Sequence, residues 1–376
     1  MDRIGKFLEL YSSKYTRSSY QLSLKHFFNF IYQEGNLSLN DQGEKYFTEK
    51  RNYEEDIEKF SQSINSKPPK TIRLMLSTVK TFFIENDIEL SDKFWKRTRR
   101  RIKGSRALTL DKVPSNEELK KILSHMSIEG KALFLVLSSS GMRIGESLKL
   151  KLSDLEDGTP YKVKIRGEYT KSGNSRITFI SKESVLFLNE WLKVRQNHLN
   201  SENGKTRLHA SKEDERIFPY RVQTAYYMWR NALTQSGYMK RDSSTNRMTI
   251  HPHVLRKFYR TRLGSIIPVD IVETLMGHEG YLTEVYRKYQ DDPDALGKFY
   301  MQGEHTLTVF GSGEDVNKLR EEISEKNKEL QTLVNSLATE NISLRNRLEV
   351  VEKEISKISE IEKIVKELQQ KRLEVN

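Results

Sequence analysis

Six side chains in the middle of this chain have types and spacings that could do chemistry together. Arg143 stands in Ser140-Gly141-Met142-Arg143-Ile144-Gly145-Glu146, directly after an apolar helical stretch. Lys171 lies at a predicted turn between two alternating segments. His253 and Arg256, three residues apart, share one face if that segment is helical. His278 follows in Leu275-Met276-Gly277-His278, and Tyr286 comes eight residues later. Guanidinium groups can clamp an anion, imidazoles can move protons, and a phenol can act as a nucleophile. Singly, each residue has an ordinary explanation: a surface ion pair, a satisfied core histidine, a chance H-x-x-R. Their order and types in combination are what single them out.

These residues need a scaffold, and the pattern supplies one. Val113-Pro114-Ser115-Asn116-Glu117-Glu118 is a helix-start signature. An apolar helix follows over 132–139 and stops at Ser140-Gly141. Alternation on either side of Lys171-Ser172-Gly173-Asn174 predicts a β-hairpin over 161–180. Helical spacing resumes over 182–198, 219–236 and 252–276. The expected fold is thus mainly α, with one small β-sheet in the catalytic domain, assigned to 113–313.

At this point the chain resembles the tyrosine recombinase, or phage integrase, family, over roughly 200 residues from Val113 to Phe310. Ser-Gly-Met-Arg-Ile-Gly-Glu is similar to the family's first arginine box. The resemblance implies that Arg143 is the catalytic arginine and Glu146 its support. It matches Lys171 to the hairpin lysine, His253 and Arg256 to the H-x-L-R box, and His278 to the Leu-Met-Gly-His box. The segment from Gly277 to Tyr289 looks most like integrases of archaeal viruses and plasmids. Many bacterial members place the tyrosine nine residues after this histidine, whereas Tyr286 is eight away. Tyr286 is the favoured nucleophile, with Tyr289 and Tyr300 as alternatives.

The implied activity is site-specific recombination of double-stranded DNA at attachment sites, integrating or excising a mobile element. A tyrosine attacks phosphorus and leaves a covalent 3′-phosphotyrosine, so the bond energy is stored without ATP. Two arginines compensate the charge that builds on the non-bridging oxygens. No cofactor or metal is implied. His251-Pro252-His253 with His278 offers a metal reading, but no carboxylate or thiolate accompanies them at a useful spacing.

Charge and composition agree with a nucleic-acid partner. The chain of 376 residues has a net charge of +12, while residues 314–376 hold 14 acids and 12 bases, so the first 313 carry +14. Residues 93–106 hold eight bases and no acid: Lys93, Lys96, Arg97, Arg99, Arg100, Arg101, Lys103 and Arg106. The run is expected to be a DNA-tracking linker over 93–112, where neutralised phosphates release counterions. Residues 1–92 read as four or five short helices forming a bundle, which suits the family's core-binding domain. Cysteine is absent, which excludes disulfides and thiolate chemistry. No apolar run approaches membrane length and no signal-peptide pattern opens the chain, so a cytoplasmic, DNA-associated protein is expected.

The tail over 314–376 has a different period. Val316, Ile323, Leu330, Leu337, Leu344, Val351, Ile358 and Val365 recur every seven residues as d positions. Val334, Leu348 and Ile355 occupy a positions, as do Asn327 and Asn341, which favour two parallel strands. A self-associating coiled coil is expected. Two other functions fit parts of this pattern: a type IB-like topoisomerase and a non-catalytic DNA-binding regulator with a dimerising tail. A bZIP protein is excluded, because a whole domain separates Arg106 from Val316.

Overall fold

The computed structural model describes residues 2–33, 37–102, 104, 109–200, 213–278 and 292–311, and in the tail 335–355 with scattered single positions. It is mostly helical and divides into two units, 1–112 with 240–249 and 113–239 with 250–376.

The first unit holds α1 (Arg3–Glu9), α2 (Lys14–Tyr32), α3 (Leu39–Thr48), α4 (Tyr53–Ser63), α5 (Pro69–Ile84) and α6 (Asp92–Arg100). Asp2, Ser13, Ser38, Asn52 and Ser91 accept backbone N–H bonds as N-caps, and α5 starts on Pro69. The helices share one aromatic core in which Phe27 meets Phe60 and Tyr46 edge-on at 5.2 and 5.4 Å.

Residues 92–100, at the start of the expected basic linker, form α6. Phe94, Trp95 and Thr98 fall at i, i+1 and i+4 and are buried in that same core. The basic side chains therefore take different directions. Arg97 pairs with Glu58 at 2.7 Å, and Arg101 lies 3.8 Å from it. Lys93, Lys96 and Arg100 occupy the opposite, exposed pole of the helix, and Arg99 flanks Trp95. Lys103 and Arg106 lie outside the described residues.

The second unit begins with α7 (Asn116–Ser124), closed at its start by a Ser115–Glu118 capping box. Next come α8 (Ile128–Ser140) and the single turn α9 (Ile144–Ser147). Strands β1 (Leu155–Glu156), β2 (Tyr161–Ile165) and β3 (Arg176–Ile180) form an antiparallel sheet, with Leu155 opposite Val163 and Tyr161 opposite Ile180. The hairpin is the expected one, but β1 adds an edge to it. Then follow α10 (Lys182–Asn200), α11 (Val222–Gln235), α12 (Val254–Leu263), α13 (Val269–Met276) and α14 (Pro293–Gly303). Hydrophobic α8 is buried nearly throughout and packs against α10, α12 and β3. No helix among the described residues is long and apolar enough to cross a membrane.

The chain leaves this unit through a firmly held segment. Glu183 accepts N–H bonds from Val309 (2.9 Å) and Phe310 (2.6 Å). Asn116 donates to the carbonyls of Thr306 and Thr308, and Lys120 to that of Phe310. Residues 335–355 of the tail are continuously helical and exposed throughout.

Candidate active site

The site is built where three chain segments end against one another. Helix α8 stops at Gly141, whose φ of +63° is the left-handed conformation that favours glycine. A Cβ there would sit 2.4 Å from the Tyr259 ring, so close approach demands glycine as well. The chain then turns into α9 with Arg143 at its N-cap. Arg143 donates to Glu146 twice, from its backbone N–H and from Nη1, both at 2.8 Å.

Glu146 is 2% exposed and is gripped from its other side by Arg176. Arg176 Nη2 donates to Oε2 at 2.6 Å and Nη1 to Oε1 at 3.3 Å, while its Nε donates to the Leu275 carbonyl at 3.2 Å. Burial pushes the Glu146 carboxyl up, but the bonds and charge of Arg176, with those of Arg143, leave it below its ordinary range. It therefore stays ionised and fixes both guanidiniums. Arg176 thus ties the segment carrying Arg143 to the end of α13, just before His278.

Arg256 makes a second tie between the same two segments. Its Nη1 donates to the Gly141 carbonyl and its Nη2 to that of Met276 at 2.7 Å. Burial, with the charges of Arg143 and Arg176, pulls Arg256 down to about 10, which still leaves it a cation at neutral pH. Gly277, with φ +68°, passes over Arg176, and a Cβ would come within 2.6 Å of that side chain.

The two histidines are held neutral beside these cations. His253 is the N-cap of α12, with Arg256 three residues on, and its ring lies parallel to that of His251 at 6.3 Å. Burial lowers its pKa first, and Arg256, His251, Lys257 and Arg143 lower it further. His278 bonds through Nδ1 to Glu273, a carboxylate that also pairs with Arg260. Burial pushes His278 down; the Glu273 bond opposes this, and Arg256 and Arg143 reinforce it. A neutral imidazole donating Nδ1–H to Glu273 leaves Nε2 for other work. The charge of Arg143 is felt at Arg256, His253 and His278 alike, so four of the six candidate groups share one electrostatic site.

Lys171 is exposed on the connection between β2 and β3. Among the described residues it has no hydrogen bond to the arginine–histidine cluster. Its loop is nonetheless organised: Thr170 Oγ1 lies 2.9 Å from the Gly167 carbonyl, and Tyr169 donates to Asp154 at 3.0 Å. Tyr286 and Tyr289 lie outside the described residues. Tyr300 is fully buried, with its hydroxyl donating to the Ser139 carbonyl at 2.9 Å, which gives it a core position. No group of three or more His, Asp or Glu that could hold a metal occurs among the described residues.

Residues 112–293 match the profile described as the Phage integrase family. This stretch is similar to the phage integrase family. It contains all of Arg143, Lys171, His253, Arg256, His278 and Tyr286. A solved structure of a lambda integrase dimer bound to a COC′ core site is similar, at 17% identity and a TM-score of 0.51, covering 77% of each chain. A shorter lambda integrase dimer on the same kind of site gives 15% identity and the same TM-score, over 74% of this chain and 94% of that one. XerH site-specific recombinase bound to a difH substrate gives 17% identity and a TM-score of 0.47, over 74% and 78%. The two lambda likenesses establish the fold. No curated protein matches the chain at a significant level.

Two features of this site were not foreseen from sequence. Arg176 reads there as one strand residue among several, and Glu273 as an ordinary acid of an amphipathic helix. A weak signal for Glu273 does exist, since it stands five residues before His278.

Proposed function

We propose that this chain is a site-specific DNA recombinase that cleaves and rejoins DNA through a 3′-phosphotyrosine, serving a mobile element of the kind carried by archaeal viruses and plasmids. The observation that carries the reading is the arginine–histidine cluster fixed by Glu146, within an integrase-family domain. The phenolate of Tyr286 attacks phosphorus, the bond to the 5′ oxygen breaks, and Lys171 gives that oxygen a proton. Arg143 and Arg256 compensate the charge on the non-bridging oxygens. His253 and His278, neutral beforehand, donate to the phosphate or take the phenol proton. The reverse attack by a 5′-hydroxyl on the phosphotyrosine frees the tyrosine and reseals the strand. Double-stranded DNA is the partner, in the cytoplasm, and the tail joins copies of the chain on it.

A suicide substrate, in which the cleaved 5′ end diffuses away, tests this directly. The full chain should accumulate a protein–DNA adduct that survives denaturation, in EDTA as well as in magnesium. Absence of any adduct on substrates carrying the element's own attachment sites would leave a binding-only regulator. Relaxation of supercoiled plasmid without strand exchange between two sites would indicate a topoisomerase.

The first unit, with α6, serves in this reading as the second grip on DNA. The outward pole of α6 predicts which charges matter. Neutralising Lys93, Lys96 and Arg100 should weaken binding to all sequences alike. The slope of log affinity against log salt should shrink by about 0.9 per lost phosphate contact. Arg97→Gln, whose charge already faces Glu58, should change that slope little. Fluorescence anisotropy across a salt series reads both, and equal slopes for the two variants would reject the assignment.

A further inference from the structure

Among the described residues of the tail, an apolar seam lies exposed. Leu337, Leu344, Leu348, Val351 and Ile355 are 55, 47, 60, 48 and 59% exposed along the helix 335–355. Exposed apolar side chains in one unbroken stripe favour burial against a matching surface.

We propose that the occupant is a second copy of this chain, lying parallel and in register, so that the protein is a dimer before it meets DNA. This rests on the tail's self-association and not on the catalytic reading. Two independent features of the sequence on that helix fix the orientation.

The first is Asn341, an a position inside the seam. In a parallel, in-register pair it meets Asn341 of the other copy, and the two amides satisfy each other. In an antiparallel pair an a position faces a d position. Every d position from Val316 to Val365 is apolar, so each such alignment leaves the amide against a hydrocarbon. Asn327 repeats the condition two heptads earlier.

The second is charge along the flanks. In a parallel pair a g residue meets the e residue five positions on in the partner helix. Glu340 then meets Arg345, and Arg347 meets Glu352, each twice by symmetry, with no like-charged g–e contact anywhere in the tail. All four side chains are exposed on 335–355. The antiparallel alignment that sets Leu348 against Leu344 opposes Arg347 to itself and Glu340 to Glu354. Shifting it by one heptad relieves the charges but places Asn341 against Ile358. Only the parallel, in-register pair satisfies both.

The native chain has no cysteine, so one introduced thiol reports the geometry cleanly. Full-length Leu344→Cys, a d position, should cross-link to itself under mild oxidation and run as a dimer without reductant. Asn346→Cys, on the outer face, should not. By sedimentation, Arg345→Glu should raise the dimer dissociation constant about tenfold, since opposite-charge contacts become like-charge ones. Adding Glu340→Arg to it should restore the parent value, a rescue that no antiparallel alignment predicts. A monomeric parent chain at tens of micromolar would overturn self-association itself. A dimer that neither cross-links through Leu344→Cys nor is rescued by Glu340→Arg would overturn the parallel register alone.

Discussion

Tyr286→Phe is expected to bind DNA as the parent chain does and to form no covalent adduct. The substitution removes one oxygen, so no packing is lost, and only the attacking atom disappears. Tyr286 is eight residues after His278, whose ring is oriented by Glu273 beside Arg256. Tyr300 is a poor rival, because its phenol is buried and already donates to Ser139, and burial pushes its pKa well up. Denaturing gels of suicide-substrate reactions read the result, with gel shifts confirming intact binding. Adduct at the parental rate would move the assignment to Tyr289.

Arg143→Ala and Arg176→Leu are expected to fail in opposite ways, although both arginines hold the same carboxylate. Arg143 is 40% exposed in its side chain. Its loss leaves Glu146 with both Arg176 bonds and one backbone N–H, so stability should fall by only roughly 1 kcal/mol. Adduct formation should slow by about 10²–10³-fold, the scale of losing one charge-stabilising donor. Arg176 is 5% exposed in its side chain and meets a carboxylate exposed at 2%. Its loss breaks the buried side of the pair and leaves Glu146 with only the partly exposed Arg143, a cost on the scale of about 3–5 kcal/mol. Urea denaturation should show a large drop in midpoint for Arg176→Leu and a small one for Arg143→Ala. Adduct kinetics on the folded fraction should show the reverse order. Equal stability losses would mean that Arg176 does not hold Glu146 in solution.

Much of the second unit was legible because its elements carry strong local signals: a capping box at Ser115, a glycine stop at Gly141, alternation around the hairpin. The errors have local causes too. Helix α3 contains Asn40-Asp41-Gln42-Gly43, residue types common in turns. Gly43 is there instead because α3 lies against α1, where a Cβ would come within 2.8 Å of Ile4 Cδ1. Helix α6 was not foreseen within the basic run because the eight bases mask its three buried side chains. Arg176 could not be found at all: its partner is thirty residues away, and the strand pattern gives no hint that this arginine points inward. The six chemical residues were legible as a set only through order and resemblance, since no two segments that carry them are adjacent in sequence.

The hold on residues 306–310 gives the end of the second unit a mechanical character. Glu183 clamps the amides of Val309 and Phe310, and the Phe310 ring lies 5.2 Å from that of Phe187. Beside the clamp, Ser184 Oγ is 2.7 Å from Ser139 Oγ in α8, two residues before Gly141. Load that reaches Phe310 is therefore met by a clamp. It is delivered through α10 into the last turn of α8, from which Arg143 is suspended. A pull arriving at Phe310 would act on that turn as load on a strut, with Arg143 at its far end.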